Sequence, residues 1–232
     1  MENQMSIMTI VSDEVMEKTV VFFDLDKTLL KVDLEHFWIK FLLMHGLVDE
    51  QTLDTIEEFH RDYEAGVMNF YAYQRFLLKP LQTFPKRFSL DLREEYLLII
   101  PDVLSKRMLK QLNWHSERGH QLIMITACID FLAEPVGAML GFEHILCTRT
   151  EQVNGAFTGQ IIGTPAFRSG KVSLLLSWAA EHRLTLKGSW GYSDSVNDLP
   201  LLNLVDHPVA VAPDPFLQEH AVQNRWQIIS DY

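Results

Sequence analysis

Val20-Val21-Phe22-Phe23 is an unbroken apolar run that stops at Asp24, the pattern of a short strand buried on both faces. Comparable runs return at Gln121 to Thr126, His144 to Thr148, Ser189 to Ser193 and Pro208 to Ala212. Between them, apolar positions recur at helical spacing through Phe131 to Leu140 and Lys171 to His182. Strands alternating with helices in this way predict a parallel α/β sheet.

The stretch from about Val32 to Trp114 breaks that rhythm. Helical spacing runs through His36 to Met44, Leu53 to Tyr63, Phe70 to Leu78 and Leu90 to Ile99, with no strand pattern among them. Gly46 and Gly66 stand where helices end, and Pro80, Pro85 and Pro101 punctuate the later part. The pattern predicts a helical insertion at 32–101 and a main domain made of 19–31 and 102–232. A helix over Asp102 to Arg118 returns the chain to the main domain and stops at Gly119. Asn154-Gly155, between Val153 and Ala156, predicts a small hairpin.

Composition narrows the class. With 47% hydrophobic residues in 232, the chain can bury a sizeable core. A net charge of −11 repels polyanions, and no basic stripe offsets it, so nucleic acid is excluded as a partner. The two cysteines, Cys128 and Cys147, are too few for a disulfide scaffold and fit a reducing cytoplasm. Residues 1–18 read as a mobile leader: acidic Asp13, Glu14 and Glu17 do not follow the plan of a signal peptide. The greasiest stretch, Phe37 to Val48, is interrupted by Lys40, His45 and Gly46 and falls short of the ~20 residues of a membrane span.

Candidate chemistry gathers at strand ends. Asp24-Leu25-Asp26-Lys27-Thr28 follows the first strand, and in extended backbone Asp24 and Asp26 share a face. Two like charges so close call for a cation or a shared proton, although an Asx-rich turn closing a strand is the ordinary alternative. Ser193-Asp194-Ser195-Val196-Asn197-Asp198 repeats the theme after a later strand. Asp194 and Asp198 are hard oxygen donors of the kind Mg²⁺ takes, while Asn197 or Asp198 also suits a helix N-cap. Thr126 ends a strand with a hydroxyl, and Lys171 follows Gly170 at the start of a helix with a cation.

In this order the four segments resemble the haloacid dehalogenase superfamily, in its phosphoserine-phosphatase-like branch, subfamily IB, whose helical C1 cap follows the first strand. The resemblance covers nearly the whole chain. It implies a three-layer Rossmann-like α/β sheet with an inserted α-helical cap, and a Mg²⁺-dependent phosphatase acting on a small phosphorylated metabolite. By resemblance, Asp24 is the nucleophile and Asp26 the general acid and base. Thr28, Thr126 and Lys171 bind phosphate. Asp24, the Asp26 main-chain carbonyl and Asp194 hold Mg²⁺, with Asn197 and Asp198 supporting them.

Two cap positions come from the same source: Asp33, where relatives that act on phosphoserine place a Glu that recognises the substrate amine, and Arg75, near their carboxylate-binding Arg. Those relatives have glycines where this chain has Ala127-Cys128 and Ser193 and Ser195. The substrate therefore stays open among phosphoserine, histidinol phosphate and similar small monoesters. A phosphotransferase, a lipid-phosphate phosphatase and a non-catalytic phosphate- or metal-binding module use the same fold in other ways.

Overall fold

The computed structural model describes residues 18–230. The leader expected over residues 1–18 lies, Lys18 aside, outside the described residues. Strand β1 (Val20–Phe23) is followed by a wide turn, Leu25–Leu29, and then by α1 (Leu34–Met44), α2 (Glu50–Glu64), α3 (Phe70–Leu77), α4 (Lys79–Thr83), α5 (Lys86–Leu97) and α6 (Ile100–Val103). Next come α7 (Lys106–Ser116), β2 (Gln121–Ile129), α8 (Asp130–Met139), β3 (His144–Val153) and β4 (Ala156–Ile162). The chain closes through α9 (Ser169–Glu181), β5 (Trp190–Ser193), α10 (Leu199–Leu202), β6 (His207–Val211), α11 (Pro215–Gln223) and β7 (Gln227–Ile229).

The strands form one seven-stranded sheet in the order β4-β3-β2-β1-β5-β6-β7. Neighbours run parallel except β3 and β4, which pair antiparallel across Asn154-Gly155. Those two residues have φ of 53° and 79°, as a two-residue hairpin turn requires. The sheet is therefore mixed, with the hairpin as its antiparallel edge.

β1 is central, and its alternating side chains feed two cores. Val21 and Phe23 join Trp38, Tyr96, Met108, Met124 and Phe131 on one side, while Val20 and Phe22 join Ile123, Leu175, Trp178, Leu201 and Leu217 on the other. With α7 and α8 on the first face and α9, α10 and α11 on the second, the core has three layers. All four β1 side chains are fully buried, at about 1.5–3 kcal/mol each. That burial fixes the strand and with it Asp24 at its end. Gly191 of β5 lies under the Phe22 ring, where a Cβ would come 2.2 Å from Phe22 Cζ.

The chain leaves and re-enters the sheet domain at adjacent points. Leu30 and Leu104 form an antiparallel bridge, Lys31 N–H donates to the Val103 carbonyl at 2.8 Å, and Ser105 N–H donates to the Leu29 carbonyl at 2.9 Å. This pairing corrects the single helix expected over Asp102 to Arg118. Leu104 is extended, with ψ 140°, and Ser105 starts a fresh helix by accepting a hydrogen bond from Met108 N–H. β2 also runs beyond Thr126, with its register to β3 broken between Ile125 and Ile129. There the Ala127 carbonyl accepts from the Thr148 hydroxyl at 2.8 Å.

Candidate active site

The parallel ladder extends one residue past β1, since Asp24 N–H donates to the Tyr192 carbonyl at 2.9 Å. Asp24 is thereby held at the carboxyl end of the central strand, only 5% exposed. Asp24 (φ −70°, ψ 159°) and Asp26 (φ −69°, ψ 133°) both have extended backbone angles and reach one cavity. Beyond Asp26 the chain turns: Lys27 has φ 51°, and Leu30 N–H returns to the Leu25 carbonyl at 2.9 Å.

Lys171, on the first turn of α9, is buried between two carboxylates. Its Nζ donates to Asp24 Oδ1 at 2.6 Å and to Asp198 Oδ2 at 2.7 Å. Asp198 also accepts from the Ser193 hydroxyl at 2.7 Å, and it makes no capping hydrogen bond to α10. Burial works against the ammonium, yet the Asp198 and Asp24 charges beside it carry its pKa well above the lysine range. Burial likewise pushes Asp24 up to about 6, with Lys171 opposing and Asp198 adding to the shift.

Asp26 accepts from Leu34 N–H at 2.7 Å through Oδ1 and from the Cys128 thiol at 3.0 Å through Oδ2. Burial, then the charges of Asp33 and Asp24, hold its carboxyl well above the usual range, a state suited to giving up a proton. Burial, followed by repulsion from Asp24 and Asp198, does the same to Asp194. Cys128 is itself buried, and its thiol is held well above its ordinary pKa. It is a hydrogen-bond donor here rather than a nucleophile.

These groups share a cavity of about 60 Å³ lined by Asp24, Asp26, Lys171 and Asp194 from the sheet domain and by Asp33, Glu35, His60, Tyr63 and Tyr73 from the helical layer. That is room for on the order of four waters. Thr28 and Thr126 do not line it, although both are fully buried. The Thr126 oxygen accepts from Cys128 N–H at 3.2 Å, and the Thr28 hydroxyl has no hydrogen-bond partner among the described residues. Asn197 stands off the cavity, its Oδ1 accepting from Arg168 Nε at 2.9 Å.

Arg75 corrects the expectation of a cap-borne carboxylate contact. Helix α3 buries Phe70, Tyr73, Gln74 and Leu77, which turns Arg75 to the exposed face and away from the cavity. Asp33 does reach the cavity, while accepting from His36 N–H as the N-cap of α1.

Several cavity residues escape sequence reasoning. Glu35, 4% exposed, accepts from the Tyr73 hydroxyl at 2.7 Å and from Ile129 N–H at 2.8 Å. Burial, then the nearby Asp33 charge, pushes its carboxyl up to about 8. One signal could have found it, since a Glu at position 35 interrupts the otherwise apolar inward stripe of Leu34, Trp38, Phe41 and Leu42. Lys27 Nζ lies 2.9 Å from His60 Nε2, which as acceptor places the ring proton on Nδ1, facing Asp33 at 4.0 Å.

The donor set fits Mg²⁺. Among the described residues no three His, Cys, Asp or Glu side chains are arranged as ligands. Mg²⁺ takes one or two carboxylates and keeps several waters. Asp24 and Asp194, which both line the cavity, are the two carboxylates that would bind it. The pKa of each is raised by burial and by neighbouring carboxylates, Asp198 beside Asp24 and both Asp24 and Asp198 beside Asp194, a repulsion that a cation relieves.

Residues 21–203 match the family of haloacid dehalogenase-like hydrolases. The chain is 37% identical over 221 residues to a Neisseria meningitidis (serogroup C, strain 8013) protein named histidinol-phosphatase, covering 92% of this chain and 99% of that one. A structure from Bordetella pertussis Tohama I, of a protein of unknown function, superposes with a TM-score of 0.84 at 32% identity, over 91% of this chain and 98% of the other. A substrate-bound phosphoserine phosphatase superposes with a TM-score of 0.72 at 17% identity, over 93% and 94% of the two chains, a likeness of fold.

Proposed function

Because the chain belongs to the haloacid dehalogenase-like hydrolase family, with a phosphoserine-phosphatase-like fold and a helical cap, we propose that it hydrolyses a small phosphate monoester through a phosphorylated Asp24. The observation that carries this reading is the Lys171 bridge between Asp24 and Asp198 at the cavity wall. A carboxylate approaching a dianionic phosphate is repelled, and the lysine neutralises part of both charges. Asp24 attacks phosphorus and becomes an acyl phosphate. Asp26, fixed by Leu34 N–H and the Cys128 thiol, protonates the departing alkoxide and then takes a proton from the water that attacks the acyl phosphate.

Thr126 accepts a hydrogen bond from Cys128 N–H and the Thr28 hydroxyl has no partner among the described residues, so each keeps a proton for a phosphoryl oxygen, although neither lines the cavity in this structure. Asp24, the Asp26 carbonyl and Asp194 would hold Mg²⁺. When bound, the ion supplies Lewis-acid neutralisation of the phosphoryl oxygens.

For the substrate we infer a phosphorylated alcohol bearing an amine or imidazole, as in histidinol phosphate. Asp33 and Glu35 offer carboxyl groups to such a group within walls of Phe59, Phe70 and Tyr73. Arg75 is turned away from the carboxylate that phosphoserine would present. The relative from Neisseria meningitidis carries the corresponding name. Among the described residues no helix is long and apolar enough to cross a membrane.

The test is inorganic phosphate release from a panel of small monoesters, with Mg²⁺ or with EDTA, for the parent and for Asp24→Asn. Release that needs both Mg²⁺ and Asp24, fastest for the amine- or imidazole-bearing esters, is the expected result. An Asp24→Asn variant as active as the parent rules the mechanism out.

A further inference from the structure

Arg168 adopts φ 51° and ψ −121°, a conformation almost confined to glycine. It is the residue immediately before α9, and its carbonyl accepts from Lys171 N–H at 3.0 Å. A strained arginine persists only where surrounding contacts hold it, and here they do so on two sides. Its Nε donates to Asn197 Oδ1 at 2.9 Å, and the NH2 group of the same guanidinium donates to the Gly66 carbonyl at 2.7 Å. Asn197 adjoins Asp198 in the sheet domain, whereas Gly66 follows α2 in the helical layer.

The two bonds belong to a closed circuit. Asn197 Nδ2 approaches Ser195 Oγ at 3.3 Å, and Ser195 Oγ accepts from the Tyr63 hydroxyl at 3.2 Å. Tyr63 lines the cavity, and its carbonyl accepts from Gly66 N–H at 3.0 Å, which brings the path back to its start. Beside it, the rings of Phe167 and Phe70 stack at 4.7 Å and 8°, and the Arg168 guanidinium lies 4.9 Å from the Phe167 centroid. The ring of contacts therefore runs from the cap, through Arg168, to the start of α9, which carries Lys171, and to the Asn197-Asp198 turn, which supplies one of its two carboxylate partners.

We propose that Arg168 is a positioning residue that couples cap closure to the placement of Lys171 and Asp198. With the cap down, Gly66 and Asn197 occupy the two arms of the guanidinium fork. When the cap lifts to admit an ester, the Gly66 arm is lost and the strained backbone of Arg168 has less to hold it. The phosphate end of the site is then completed only over an enclosed substrate. The proposal rests on the phosphatase reading for its kinetic consequence but not for its structural one.

The strain makes the test selective. Arg168→Gly removes the guanidinium while relieving the backbone, so a residue needed only for structure would leave a variant that melts lower, with any loss of kcat following from that instability. Expected instead is a melting temperature no lower than that of the parent, a kcat reduced about 10- to 100-fold on a saturating small monoester, and faster amide exchange at residues 64–69. Arg168→Lys keeps the charge but cannot span both acceptors, and it shows the same direction of change. A kcat within about twofold of the parent for either variant overturns the proposal, as does a loss of kcat that comes with a lower melting temperature in Arg168→Gly. Should the parent release no phosphate from any ester, the phosphatase reading fails and the exchange measurement decides alone. Unchanged exchange at 64–69 in Arg168→Gly then overturns the coupling, and faster exchange supports it.

Discussion

Lys171 Nζ and Asp24 Oδ1 stand 2.6 Å apart, with the lysine 4% and the aspartate 5% exposed. A charge pair so fully removed from water is costly to break one-sidedly, because the surviving charge stays buried. Lys171→Met leaves both Asp24 and Asp198 without their cation. The expected loss is about 3–5 kcal/mol of stability, and about 10²–10³-fold in kcat from the missing charge neutralisation. Urea unfolding and phosphate release on the same preparation check the two together.

Asp26 is assigned to proton transfer, and that role depends on the leaving group. A phenolate such as p-nitrophenolate departs without help, whereas an alkoxide does not. In single-turnover measurements that isolate acyl-phosphate formation, Asp26→Asn is expected to slow alkyl phosphates about 10²–10⁴-fold and p-nitrophenyl phosphate far less. Equal losses on the two esters would remove Asp26 from that role.

Glu35 makes stability depend on pH. Burial holds it neutral in the folded chain up to about pH 8, whereas its ordinary pKa is 4.5. Between those values the folded state keeps a proton that the unfolded chain has released, so its contribution turns against folding as pH rises. Glu35→Gln removes the titration. Relative to the parent, the variant should therefore gain about 2–5 kcal/mol on going from pH 5 to pH 9. Urea unfolding at pH 5, 7 and 9 measures this, and a difference between the proteins that is independent of pH contradicts it.

Gly170 precedes Lys171, and a Cβ there would lie 1.9 Å from the Pro165 carbonyl oxygen. The obstacle is backbone, so the loop must move and take the start of α9 with it. Gly170→Ala is expected to cost about 1–3 kcal/mol and to lower kcat more than it raises KM. Thermal unfolding with steady-state kinetics is the check, and a wild-type kcat would separate the loop from the placement of Lys171.

Local pattern reveals β1 because both its faces are buried, and it reveals Asp24 because a polar residue ends such a run abruptly. The hairpin at Asn154-Gly155 is equally legible, since its φ angles demand those residue types. Other features have no local mark. α11 and β7 are short and only partly buried, so their periodicity is weak. The break at Leu104 depends on a bridge to Leu30, seventy-four positions earlier by number. Glu35 draws its role from Tyr73 and Ile129, and Arg168 draws its role from Gly66 and Asn197. In each case the partner is supplied by tertiary packing. Arg75 fails for the converse reason: its assignment rests on resemblance alone, and the buried stripe of Phe70, Tyr73, Gln74 and Leu77 leaves it on the exposed face of α3.

The position of β1 also governs how the chain is assembled. Val20 pairs with Gln121, and Val21 pairs with Trp190. At the pace of translation the second partner follows the first strand by roughly 10–30 s. Of the intervening helices, α1 and α2 pack on each other and can form while β1 waits, whereas α3 and α4 pack against β4. Four consecutive buried apolar residues are thus left unmatched during synthesis, and the segment that anchors the nucleophile is the one a nascent chain must keep from aggregating.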